Sequence, residues 1–398
     1  MADKIEYSIA DLHNLFELGL RKSMFSNTKS DMHQVAIKNK DSIIKNGNPV
    51  YNKLYKSMKM PSLIDHMNYA ESNVTKKDRW QLESVNDYDV IIDDGLIDQG
   101  STKMWYNTTY KLLSPYMSRS NLAKYQPYFE PTGRISDFAV AHSVGTVGIK
   151  FKPNNRSNIA VAYADTYLDK DMNCVTVIID IGKNSDVTLN ENFLNKDGLK
   201  VYKIVYLVRD FSRLTLDRSH DVKQKDNSSN IIDSTVIQFP NSTFNFTGSG
   251  EGSKHNQDVM FIDVYNECKT NIKGSYDLYG DYINNTLVEV HHIGSNSTSR
   301  IDVKSIVDDT SHSSFLGSIV VDQEAIGTDA QLINKNLLIS NTATAITEPQ
   351  LDINTKEIAC SHGCTVSNID KQQLYFLESR GIETNIAEET LKQCFLNN

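Results

Sequence analysis

The sequence predicts a mainly β protein, with a β-rich core over residues 135–365 between a helical or mixed N-terminal region (1–134) and a short C-terminal helical region (366–398). Three observations predict this. Short runs rich in Val, Ile, Tyr and Phe follow one another through the middle of the chain, no helix of ordinary length separates them, and the connections are polar Asn/Ser/Thr turns with few prolines. A chain of 398 residues, 39% hydrophobic, can fill a core of that size.

From the start, Leu12, Leu15 and Phe16 recur at helical spacing after Ser8 and Asp11, which could act as caps. Gly47, Pro49, Pro61 and the polar run Glu71 to Arg79 break that pattern before a single long helix can form. The basic residues of this stretch are scattered and read as a solvated face. The β runs begin near Ile135: Val144–Phe151, Ile159–Ala164, Val175–Ile181, Val201–Val208, Ile231–Phe239, Val259–Val264, Leu287–Val290, Ile301–Val307, Phe315–Val321 and Leu337–Ser340. Such a domain is a sandwich, a barrel or a solenoid of stacked strands. Uneven intervals and consecutive apolar positions lean towards irregular β-helix coils, although no strict repeat marks them. Helical signals return at Asp370, a cap with Gln373 as reciprocal partner, followed by Leu374 and Leu377 and stopped by Gly381. Thr384 is placed to cap a second helix whose Ala387, Leu391 and Phe395 share one face. That face must be buried on the body or on a partner.

The net charge of -9 and the absence of any stretch near the ~20 apolar residues of a membrane span argue against a general nucleic-acid binder and a membrane protein. With no signal-peptide pattern at the start, the expected location is the cytoplasm or an equivalent soluble, reducing compartment. Five cysteines (Cys174, Cys268, Cys360, Cys364, Cys394) are spread too thinly for a disulfide framework and are expected as thiols. The Asn-x-Ser/Thr triplets at Asn227, Asn241 and Asn245 follow from an Asn-rich composition.

The densest reactive cluster is Cys360-Ser361-His362-Gly363-Cys364. Thiolate and imidazole suit iron, zinc or copper, and thiolates also accept and pass sulfur. In an extended strand, Cys360, His362 and Cys364 would line one face. A fourth ligand would have to come from elsewhere, because no second Cys/His pair has metal-ligand spacing; small buried residues without chemistry are the competing reading. His291, His292 and His312 form a second set, read as satisfied turn or core residues. Phosphate-cradling, serine-hydrolase and zincin motifs are absent, so hydrolysis of ATP or peptides by this chain is not expected.

Several C-terminal segments, in order, resemble the SufBD family and within it the SufD branch: SRIDVKSIVDDTSHSSFLGSIVV (299–321), TDAQLINKNLLIS (328–340), PQLDI (349–353), ACSHGCTVSNID (359–370) and QLYFLESRGI (373–382). The likeness is clear over 287–398 and is one of character in the β-rich middle. Cys364 stands where the family has alanine, and Ser367 where the SufD branch has glycine.

The resemblance implies a right-handed parallel β-helix flanked by helical regions. It also implies a non-catalytic scaffold for iron-sulfur cluster assembly, pairing with a SufB-like protein and bound through its C-terminal helices by a SufC-like ABC ATPase, where any ATPase activity would reside. The cluster would be transient and shared with the SufB-like partner. His362 is the expected interface ligand, with Cys360 beside it, and Cys364 is a candidate peculiar to this sequence. On the helices, Leu374, Tyr375, Leu377, Arg380, Leu391 and Phe395 are the expected partner contacts. A structural β-helix protein, homodimeric or virus-borne, and a polysaccharide-acting enzyme are the alternatives. The last would need rows of exposed acids and aromatics.

Overall fold

In the computed structural model the described residues are short stretches between 88 and 143, then 146–164, 172–194, 198–220, 228–250 and 254–397. The helical expectation around Leu12 to Phe16 lies outside them. Strand structure begins with β1 (Val90–Asp93), β2 (Leu96–Ile97) and β3 (Tyr110–Leu113). It continues through β4 (Thr146–Phe151), β5 (Arg156–Ala164), β6 (Met172–Ile181), β7 (Asp186–Leu194), β8 (Gly198–Val208), β9 (Arg213–His220) and β10 (Ser228–Gln238). Then come β11 (Thr243–Gly250), β12 (His255–Val264), β13 (Lys269–Leu278), β14 (Ile283–His292), β15 (Thr298–Val307), β16 (His312–Val321), β17 (Asp329–Leu338), β18 (Thr344–Ile353) and β19 (Ala359–Asn368). Two helices close the chain, α1 (Lys371–Ser379) and α2 (Thr384–Asn397).

Odd strands from β5 to β19 form one sheet and even strands from β4 to β18 a second, each strand pairing in parallel with the one two places away. That pattern is a parallel β-solenoid of about seven turns, in which each coil gives one strand to each sheet. The coils differ in length. Register advances by 26 residues from Ser229 to His255 and by 32 from His312 to Thr344. This variation hides the repeat from a fixed-period search.

The apolar core fills the lumen between the sheets, from Val90 through Tyr202 and Met260 to Leu332. Even strands up to β16 are largely buried on both faces, most completely β8 and β16, whereas β18 is exposed. Odd strands such as β7 and β13 alternate buried and partly exposed positions, with polar residues on the outer side. Where coils turn from even to odd strands, one residue per coil is left-handed: Asn154, Asn184, Phe211, Asn241, Glu267, Asn296 and Gly327. A small polar side chain follows it, as in Ser185, Ser212 and Ser297, whose hydroxyls donate to backbone carbonyls of the coil below at 3.0, 2.7 and 2.5 Å. Cys268 stands on the same rung, and its thiol reaches the Phe239 carbonyl at 3.2 Å. Burial pushes that thiol's pKa up.

Asp370 caps α1, its carboxylate accepting from the Gln372 amide at 2.8 Å. Gly381 is left-handed at φ 83°, and the Ile382 amide reaches back to Leu377, so the helix stops there. Thr384 is the first residue of α2, and its hydroxyl is spent on Glu378 Oε1 at 2.7 Å. Among the described residues no helix is long and apolar enough to cross a membrane.

Candidate cluster-ligand face and helix pair

Strand β19 pairs with β17 in a register that sets Cys360 on Ala330, His362 on Leu332 and Cys364 on Asn334. Ala330 and Leu332 face the lumen, so the alternation of a strand turns all three reactive side chains inwards. No further strand covers β19 or β18, the last strands of their sheets among the described residues. The face that is core in earlier coils is therefore open here. Cys360 and Cys364 are half-buried against the core and His362 is exposed. At Gly363, on the other side of the strand, an added Cβ would meet nothing within 4 Å.

Neighbours on one face of a strand are about 6.6 Å apart, whereas two donors on one metal ion at ~2.0–2.3 Å lie within about 4.6 Å of each other. The backbone spacing is wider than that, so the side chains must lean together to share an ion, and no cluster of three or more His, Cys, Asp or Glu placed to hold a metal occurs among the described residues. Burial raises the Cys360 pKa and favours its protonated form until a cation is at hand.

The second histidine set does not converge on this row. His292 faces the lumen, fully buried, with Nε2 at 2.9 Å from Ser299 Oγ, and burial lowers its pKa to about 4. His291, one residue earlier, faces outwards between Asp263 and Asp322 and stays charged, its pKa raised to about 9 by Asp263 and, further, by Asp322. His312 is buried on the outer face of the even sheet.

The helices present a second surface. α2 is tied to the body by the Lys304 ammonium donating to the Leu396 carbonyl at 3.2 Å and by Lys392 pairing with Asp308 at 3.4 Å. On its inner face Ala387 is buried and Leu391 and Phe395 are half-buried. No residue of α1 is buried; Leu374 and Leu377 are half-covered, Tyr375 is 71% exposed, and Arg380 lies over the Phe376 ring. Phe376 and Ile386, 56% and 54% exposed, belong to this surface too. The unbroken apolar run Leu374–Leu377 was the signal for Phe376, since a helix cannot turn four consecutive residues to one side.

Residues 166–395 match the family model described as SUF system FeS cluster assembly, SufBD core domain. The chain belongs to the SufBD family. Within it the likeness is to SufD-type proteins. The chain is 44% identical over 92 residues to the iron-sulfur cluster assembly protein SufD of Escherichia coli, covering 23% of this chain and 22% of that one. It is 37% identical over 92 residues to a SufBD family protein of Synechocystis, covering 23% and 20%. With SufD of Plasmodium falciparum the match runs longer, 25% identity over 230 residues, or 55% of this chain and 15% of that protein. These matches thus span about a fifth or less of their relatives' length. The described cysteines are all free thiols.

Proposed function

We propose that this SufBD-family chain acts in iron-sulfur cluster assembly as a non-catalytic scaffold, pairing with a SufB-like protein and bound by a SufC-like ATPase. The nascent cluster is its cargo. The observation that carries the reading is the open last coil, where Cys360, His362 and Cys364 project together from the inward face of β19. Three soft donors on one open face suit a cluster completed by ligands from another chain. His362 is the exposed member and the first ligand in this reading, with Cys360 and Cys364 on either side.

The paired chain meets the open coil, and the ATPase meets the exposed side of the helix pair at Leu374, Tyr375, Leu377 and Arg380, with Leu391 and Phe395 supporting α2 from beneath. Free thiols fit a soluble, reducing compartment such as the cytoplasm. The test is co-purification with SufB-like and SufC-like partners followed by anaerobic reconstitution with iron and sulfide. A ternary complex whose cluster absorbance is lost in His362→Ala supports the scaffold. A chain that captures neither partner and takes up no iron rules it out.

A further inference from the structure

Two rungs of the corner ladder, Phe211 and Glu267, carry neither asparagine nor glycine, and Phe211 is the aromatic one. A left-handed backbone suits asparagine or glycine and is unfavourable for a bulky residue, yet Phe211 stands at φ 58° between Asn184 and Asn241. Its ring is 65% exposed, so burial does not repay the strain. Strain kept without a packing gain points to a use. Beside the ring is a cleft of about 530 Å³ whose lining includes Asn154, Asn184, Phe211, Arg156 and Arg213 and one carboxylate, Asp186, within the range of small-ligand sites.

The register Arg156↔Asp186↔Arg213 puts two arginines on the cleft wall with their Cα atoms about two strand spacings, near 10 Å, apart. Arg213 leans on Asp186 at 3.4 Å with both side chains largely exposed, whereas Arg156 has no ion pair among the described residues. The Asn184 amide donates to Asn154 Oδ1 at 3.2 Å, and both side chains line the cleft.

We propose that this cleft binds a mononucleotide. The base stacks on Phe211, the phosphate is held by Arg156 with help from Arg213, and the asparagine amides meet the polar edges between them. A flat ring tethered to one anionic group fits a wall with one exposed aromatic and one unpaired cation. A polynucleotide is disfavoured by the net charge of -9, whereas a single phosphate meets two arginines against the one carboxylate of Asp186. The site lies on the coils from β5 to β11, far along the stack from β19, and is independent of the cluster reading.

The test is calorimetric titration of the full chain with AMP, and separately with adenosine, ribose 5-phosphate and inorganic phosphate. Phe211→Asn restores the residue of the neighbouring rungs, so it should fold with a Tm no lower than wild type while AMP affinity falls about tenfold or more. Arg156→Ala should weaken AMP about tenfold and leave adenosine unchanged. Saturable AMP binding, stronger than that of either fragment and lost in Phe211→Asn, supports the site. Absence of saturable AMP binding overturns it, as does equal affinity for ribose 5-phosphate or an unchanged AMP affinity in Phe211→Asn.

Discussion

The lumen of the solenoid is built twice from the same inward-facing positions, once in the middle of the stack and once at its end, with opposite results. In the middle, Arg218 is fully buried and its guanidinium is shared among Glu191 at 3.1 and 3.2 Å, Asp258 at 2.8 Å, Tyr206 at 3.0 Å and Ser234 at 3.0 Å. Tyr163 and Tyr206 complete the carboxylate of Glu191 at 2.9 and 2.7 Å. Those residues come from β5, β7, β8, β9, β10 and β12, so one charge network ties successive coils together. At the end, Cys360, His362 and Cys364 occupy the equivalent face with no strand stacked above them among the described residues. The interior charges are held by their neighbours, and the terminal donors are left for a visitor. The teaching is that identical strand geometry gives a structural pin or a binding face according to whether another coil follows.

Four predictions bear on that contrast, the largest first. Replacing Arg218 by Met strands two buried carboxylates and is expected to cost about 3–5 kcal/mol in urea unfolding. A cost below about 1 kcal/mol would mean that the network is not a pin. Next is acid. The folded chain holds His292 neutral down to about pH 4, whereas the unfolded chain takes up that proton near the usual 6.5. The unfolded state therefore binds more protons in that window, and stability falls as pH drops from 6.5 to 4, by on the order of 3 kcal/mol from this group. His291 runs the other way, contributing stability below 6.5 that is lost as pH rises through about 9. NMR titration should separate the two adjacent rings; coincident midpoints would place both on the same side of the strand.

Third is crowding. An added Cβ at Gly317, one coil before the last, would run into Leu332 Cδ1 and the Phe315 ring, so Gly317→Ala should cost about 1–3 kcal/mol. Gly363→Ala, in open space on β19, should change stability by less than about 0.5 kcal/mol. The smallest stability effect belongs to the proposed ligands themselves. His362→Ala and Cys364→Ser should stay within about 0.5 kcal/mol of wild type while losing cluster absorbance in the complex.

Much of this arrangement was legible before any coordinates. The even strands from β6 to β16 announced themselves because they are largely buried on both sides: the runs at Val201–Val208 and Phe315–Val321 fall within β8 and β16, Ile231–Phe239 overlaps β10, and the exposed β18 went unread. The odd strands β7, β9, β11 and β13 went unread, since DVTLNENFL or KTNIKGSYDL shows the outer polar row as strongly as the inner one. The strand read at Leu337–Ser340 catches only the last two residues of β17, whose earlier residues alternate in the same way. The repeat was present in the pairs Asn184-Ser185, Asn241-Ser242 and Asn296-Ser297, and the Asn241 triplet is one of its rungs. Coil lengths of 26 to 32 residues blurred it.

The shared face of Cys360, His362 and Cys364 followed from strand alternation alone. What the sequence did not reveal is that this strand ends the described stack, because an edge is a property of what fails to pair with it. Nor could it show Arg218 meeting Glu191 and Asp258. That contact is made across coils, between residues 27 and 40 positions apart.

The central claim, that the last coil offers its inward thiols while the rest of the lumen is sealed, is tested most directly by residue-resolved thiol labelling of the intact folded chain, alone and then with a SufB-like partner. The prediction is rapid modification of Cys394, Cys364 and Cys360, slow modification of Cys174 and Cys268, and protection of Cys360 and Cys364 once the partner is added. Cys360 and Cys364 as slow as Cys268 in the isolated chain, or no less reactive with the partner bound, would contradict it.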